Sequence, residues 1–200
     1  MSEFIFNEEL HRYTLDGEVL PSVTTVINNG LHTYAAVPKE LLERAARFGT
    51  SMHLAIKLYL ADDLDEDSLD PPLKGCLDGF KRWVDDYRDE YHIDFSNVEV
   101  PGYHKRLKYA GTPDIEMEEA VIDLKSRPIS MLTDPIQLTA YDHMTGGGNR
   151  PCYILELKQD STYVFTSALP TRKSAAEAWS RFRYLLDYYN MGKQIELWRK

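Results

Sequence analysis

Two acids and a lysine stand close together in this sequence. Gly111-Thr112-Pro113-Asp114 sets one carboxylate after a Gly-containing turn, and eight residues separate it from Asp123 in the apolar run Val121-Ile122-Asp123-Leu124-Lys125. Successive side chains of a strand alternate faces, so Asp123 and Lys125 share one face and Ile122 and Leu124 the other. An acid and a base on one face of an apolar strand either bury an ion pair or hold a metal and activate a water. Taken alone, Pro113-Asp114 reads as a turn and Asp123 as the partner of Lys125. Two acids converging on one lysine favour the metal, and hard cations such as Mg²⁺ take carboxylate and carbonyl oxygens.

Those residues need a sheet to hold them, and the chain supplies one. Strands are expected over about Asp94 to Tyr103, Leu107 to Gly111, Asp114 to Met117 and Ala120 to Ser126, with two more at Pro151 to Leu157 and Thr162 to Ser167. Thr133 or Asp134 with Pro135 opens a helix to about Met144, which Gly146-Gly147-Gly148 ends. Ahead of the sheet come a short hairpin (Phe4-Ile5-Phe6, Arg12 to Leu15, turn Asp16-Gly17) and a short helix capped by Ser22 and running through Ile27. Helices from Pro38 to about Arg47 and from about Thr50 to Leu60 follow. An acidic loop holding Pro71-Pro72 leads to an amphipathic helix from Leu73 to about Tyr91, with Leu77, Phe80, Trp83, Val84 and Tyr87 on one side. A last helix spans about Arg172 to Tyr189, turning Trp179, Phe182 and Tyr184 inward. The reading is one α/β domain over residues 1–200, a mixed central β-sheet flanked by helices. An N-terminal hairpin and helical segment takes about 1–92 and the core about 93–190.

Further residues could join the site. Glu99, in Val98-Glu99-Val100, is expected on a strand with its neighbours facing the other way: a solvent-facing edge residue or a site acid. His53 lies on an almost wholly apolar helix, where a satisfied core histidine is the commoner outcome. Gln137 and Tyr141, four apart, share a helix face.

The Pro113-Asp114 pair, its spacing to Asp123 and the Asp123-Leu124-Lys125 triplet resemble the signature of the PD-(D/E)XK nuclease superfamily. The flanks resemble its RecB-type, lambda-exonuclease-like branch: Phe48-Gly49-Thr50-Ser51-Met52-His53 is similar to a histidine-bearing helix, Val98-Glu99-Val100-Pro101 to an acid on the first core strand, and Gln137-Leu138-Thr139-Ala140-Tyr141 to a Gln-x-x-x-Tyr element. Leu20-Pro21-Ser22-Val23-Thr24-Thr25-Val26-Ile27 resembles an N-terminal segment of phage and mitochondrial members. The resemblance implies a restriction-endonuclease-like core and a metal-dependent DNA nuclease, an exonuclease of phage or bacterial recombination or repair. A structure-specific endonuclease, a non-catalytic DNA-binding module and RNA as substrate stay open. It implies one or two Mg²⁺ or Mn²⁺ ions held by Asp114, Asp123 and the Leu124 carbonyl, with Glu99 and His53 completing the shell. Lys125 would act on the attacking water or the phosphate. Gln137 and Tyr141 would contact DNA or brace the lysine. Such crowding should raise the pKa of at least one acid, and Asp114→Asn should then stabilise the metal-free protein.

Hydrophobic residues make up 43% and charged residues 28%, which describes a globular chain. Cys76 and Cys152 are too few for the four-cysteine iron–sulfur cluster some relatives carry, so none is expected. The start lacks a secretory pattern and no run reaches the ~20 apolar residues of a membrane span. The expectation is a cytoplasmic protein of a bacterial cell or phage-infected host. The net charge of −9 weighs against a nucleic-acid partner, but six acids lie between 62 and 70 with no Lys or Arg. Basic residues gather at Lys105 and Arg106, at Lys125 and Arg127, and at Arg172 and Lys173, the first two groups expected to rim the site. DNA with free ends is the expected partner, and the family reading allows a recombination or single-strand-binding protein beside it.

Overall fold

The computed structural model describes residues 2–32, 35–91 and 95–198. Its centre is the apolar run already singled out, β7 (Val121–Lys125), buried along its length except at Lys125. β7 lies second in a four-stranded sheet with β6 (Ile115–Glu116), β8 (Cys152–Leu157) and β9 (Tyr163–Ser167), in the order β6-β7-β8-β9. β6 and β9 are antiparallel to their neighbours, whereas β7 and β8 are parallel. A parallel pair needs a crossover, and α4 (Asp134–Thr145) supplies it.

The alternation of β7 sorts the core into two layers. Val121 packs with α1 (Val23–Leu31), α4 and α5 (Arg172–Trp198), around Ile27, Ile136 and Phe182. Ile122 and Leu124 pack on the other side against α2 (Lys39–Leu60) and α3 (Pro71–Tyr91), through Ile56, Phe80 and Trp83. The protein is therefore mixed α/β, helices covering both faces of this sheet. Two smaller sheets lie beside it: β1 (Phe4–Asn7), β2 (Arg12–Leu15) and β3 (Glu18–Leu20), all antiparallel, and the hairpin of β4 (Gly102–His104) with β5 (Tyr109–Gly111). Among the described residues no helix is long and apolar enough to cross a membrane.

The structure differs from the sequence reading at several element boundaries. The two helices expected on either side of Gly49 are one continuous α2, because a helical glycine costs only about 1 kcal/mol. Pro71 and Pro72 are not loop residues. They open α3, where a missing N–H costs no hydrogen bond. The acidic segment holds a short 3₁₀ turn, Glu66–Ser68, and Glu66 is anchored by Lys81 at 2.5 Å and Lys74 at 3.5 Å. The strand expected from Asp94, itself outside the described residues, is a lone antiparallel bridge between Val98 and Ile115, followed by β4. Pro101 has no N–H to continue a ladder. α5 runs on to Trp198, and Tyr184 is 76% exposed rather than inward.

Candidate active site

The register of β6 on β7 brings the two acids together. Ile115 stands opposite Ile122, which sets Asp114 beside the Asp123–Leu124 peptide. Asp114 Oδ2 accepts the Leu124 N–H at 2.6 Å, and its Oδ1 lies 3.3 Å from His53 Nδ1. Asp123 is 1% exposed. Its Oδ1 accepts from Gln137 Nε2 at 3.1 Å, while Oδ2 is held by the Lys125 ammonium alone.

Gln137 ties acid to base. Its Oε1 accepts from Lys125 Nζ at 3.1 Å, and its Nε2 reaches both Asp123 and, at 3.1 Å, the Tyr141 hydroxyl. Gln137 and Tyr141 can do this from one face of α4 because Gly111 lets the Tyr141 ring approach. A methyl group at Gly111 would lie 2.6 Å from that ring. Glu99 stands outside the expected strand, in the left-handed conformation (φ 51°), which costs a non-glycine residue about 1–2 kcal/mol. Its N–H is bonded to the Asp114 carbonyl at 2.9 Å, and the turn carries its carboxylate to 3.7 Å from His53 Nδ1 and 3.3 Å from Lys57 Nζ.

These residues line one cleft of about 660 Å³. Its other wall comes from the N-terminal hairpin, through Phe6, His11 and Tyr13, and Tyr13 bonds Thr112 Oγ1 at 2.9 Å. Lys57, Tyr13 and Thr112 were missed from sequence. Lys57 is one helical turn beyond His53, and that i,i+4 spacing was the available signal. The expected basic rim is only partly present. Lys105 and Arg106 occupy the turn between β4 and β5 and do not line the cleft. Arg127 lies in an adjoining cavity, its guanidinium paired at 2.5 Å with the fully buried Asp134.

The electrostatics separate the acids. Burial pushes Asp123 up to about 6, and Asp114 adds to the rise against the pull of Lys125. Asp114 is also desolvated, though less buried than Asp123, but His53, Lys125 and the Leu124 N–H hold it below the usual carboxylate range. Burial opposes the charge on His53, yet Asp114, Asp123 and Glu99 raise it to about 9. The Lys125 ammonium is likewise favoured: desolvation opposes its charge, but Asp123, Asp114 and Asp134 together raise it. Burial beside the two aspartates raises the Tyr141 phenol.

Three carboxylates and a backbone carbonyl are the donor set a hard divalent ion takes, and the buried Asp123 Oδ2, whose one partner is the Lys125 ammonium, would be a ligand if that ammonium moved aside. As the side chains stand, each acid is matched by a cation of the chain: Lys57 on Glu99, His53 on Asp114, Lys125 on Asp123. Among the described residues no three His, Cys, Asp or Glu groups yet enclose an ion. The donors fit a divalent metal by charge and type, and its binding would require His53 and Lys125 to give way.

No protein-family model matches this chain, and comparison with curated proteins returns no match.

Proposed function

We propose that this protein is a Mg²⁺- or Mn²⁺-dependent deoxyribonuclease with a restriction-endonuclease-like core of the PD-(D/E)XK kind. In this reading it is an exonuclease of phage or bacterial DNA recombination or repair. The observation that carries the proposal is the convergence of Asp114, Asp123 and Lys125, with Gln137 bonded to both members of the Asp123–Lys125 pair. An ion pair kept only for stability needs no second acid and no amide fixing both partners.

Asp114, Asp123 and the Leu124 carbonyl would hold the ion, with Glu99 and His53 at its margin. A bound ion would polarise the phosphate and make water a nucleophile near neutral pH. The chain's own residues do the rest. Gln137 fixes the Lys125 ammonium where negative charge grows on the phosphate, and a preoriented cation costs little reorganisation there. Asp114 fixes the Leu124 peptide through its N–H. The raised pKa of Tyr141 keeps its hydroxyl protonated, so it can donate to a phosphate oxygen.

End-labelled linear DNA and relaxed closed circles, incubated with Mg²⁺ or Mn²⁺, separate the choices. Progressive loss of label from the linear form with intact circles is expected. Rapid linearisation of the circles would replace the exonuclease with an endonuclease, and no hydrolysis in either metal would end the proposal.

A further inference from the structure

The acidic cleft adjoins a second chamber whose charged lining is mostly basic. This larger cavity, about 990 Å³, shares Gly49, His53 and Lys125 with the acidic one. α2 forms a wall of both chambers, and a methyl at Gly49 would lie 3.5 Å from Ser126 Oγ, so helix and strand stand close where the chambers meet. The contrast in lining is sharp. The first chamber has Glu8, Glu99, Asp114 and Asp123 against Lys57 and the shared Lys125, so acids outnumber bases there. The second has Arg44, Arg47, Lys125 and Arg127 with a single acid, Asp70, which already caps α3 by accepting the Leu73 N–H at 2.9 Å.

Arg44 and Arg47 are three apart on α2 and so share a face. Both are exposed, and among the described residues neither carries an ion pair. Glu43, the acid next in sequence to Arg44, pairs instead with Lys39 at 3.5 Å. In a chain of net charge −9, two uncommitted arginines in a concave wall beside Lys125 need a reason. Apolar Leu41, Leu42 and Phe48 complete the wall.

We infer that this chamber is a nucleic-acid subsite in which Arg44 and Arg47 hold the phosphates of one strand on the side of the scissile bond away from the acids. The inference rests on the nuclease reading for which strand is held. A strand crossing the neck at Gly49 puts one phosphate beside Lys125 and its neighbours against the arginines. The volume lies at the upper end of the ~300–1,000 Å³ typical of ligand clefts, room for a short run of one strand. Guanidinium forks are the side chains best matched to phosphate.

The test is binding of a fluorescein-labelled oligothymidylate by the full chain in chelator, followed by anisotropy as salt is raised. Each phosphate contact on a single strand contributes about 0.7 to the slope of log affinity against log salt. Arg44→Ala/Arg47→Ala should therefore lower the slope by about 1.4 with an unchanged melting temperature, and Arg44→Lys/Arg47→Lys should keep most of it. An unchanged slope in the alanine variant, or no binding by wild type, overturns the subsite. If slope and affinity stay at wild type while metal-dependent cleavage persists, the subsite fails and the nuclease stands. If the slope falls but no metal supports cleavage, the nuclease fails and a strand-binding groove remains.

Discussion

Asp114 and Asp123 carry opposite electrostatic burdens, and that sets the direction of their mutants. The crowding expected from sequence is present, but its cost falls on Asp123, not Asp114. Ionised Asp114 is held by His53, Lys125 and the Leu124 N–H, so Asp114→Asn should lower the melting temperature in chelator rather than raise it. Losing a charge-assisted hydrogen bond costs about 1.5–3 kcal/mol. Because its folded pKa is depressed, that stabilisation is present above the ordinary carboxylate pKa and is lost as pH falls through the folded value. The effect should therefore vanish in acid melts, and a mutant more stable than wild type at pH 7 would contradict the assignment. His53 has the opposite sign. Its folded pKa of about 9 lies above the ordinary 6.5, so its contribution is complete below pH 6.5 and lost as pH rises through 9. If a metal displaces that proton, binding near pH 7.5 should release protons. Calorimetric titration with Mn²⁺ in buffers of different ionisation enthalpy reads this directly. His53→Ala should abolish most of the release, whereas a structural histidine would leave it unchanged and show only a lower melting temperature.

At the scale of elements, what was legible from sequence is what period two encodes. Asp123, Lys125 and the buried Ile122 and Leu124 fall on their expected faces because a strand leaves no other choice. The pairing of Asp114 with Asp123 needed only one short register. The remainder came from elements far apart in the chain. Lys57 and Tyr13 reach the cleft from α2 and β2; the helical spacing from His53 marks Lys57, whereas nothing local in sequence marks Tyr13. Glu99 was misplaced because Val98-Glu99-Val100 looks like a strand, whereas its left-handed turn is what delivers the carboxylate. Close approaches of elements give a sharp test. A methyl at Gly75 of α3 would meet the Gln159 carbonyl oxygen at 2.0 Å, so Gly75→Ala should destabilise by about 1–3 kcal/mol. Gly192 of α5 has nothing within 4 Å of that position, so Gly192→Ala should stabilise by up to about 1 kcal/mol. Thermal melts that reversed the two would contradict the packing of α3 on the β8–β9 turn.

At the scale of the molecule, the fold places three unlike things around one strand end: an acidic cleft, a basic chamber and a lysine between them. Helices on both faces keep β7 dry, which raises Asp123, while the partners of Asp114 hold it down. A divalent ion binding only the folded state adds about 2.7 kcal/mol at 100 times its dissociation constant. In a chain of this size that is a rise of roughly 5–10 °C in melting temperature. Asp123→Asn should lose most of that gain, and an equal gain in the mutant would place the ion elsewhere.

The most direct test is the metal-dependent cleavage rate of wild type against Lys125→Ala on the same linear DNA. The account predicts that chelator abolishes wild-type activity. It also predicts that the variant, still folded and still binding DNA in part, loses at least about 10²-fold in rate, as when one preoriented charge-stabilising group is removed. Wild-type turnover by Lys125→Ala, or activity indifferent to chelator, would contradict it.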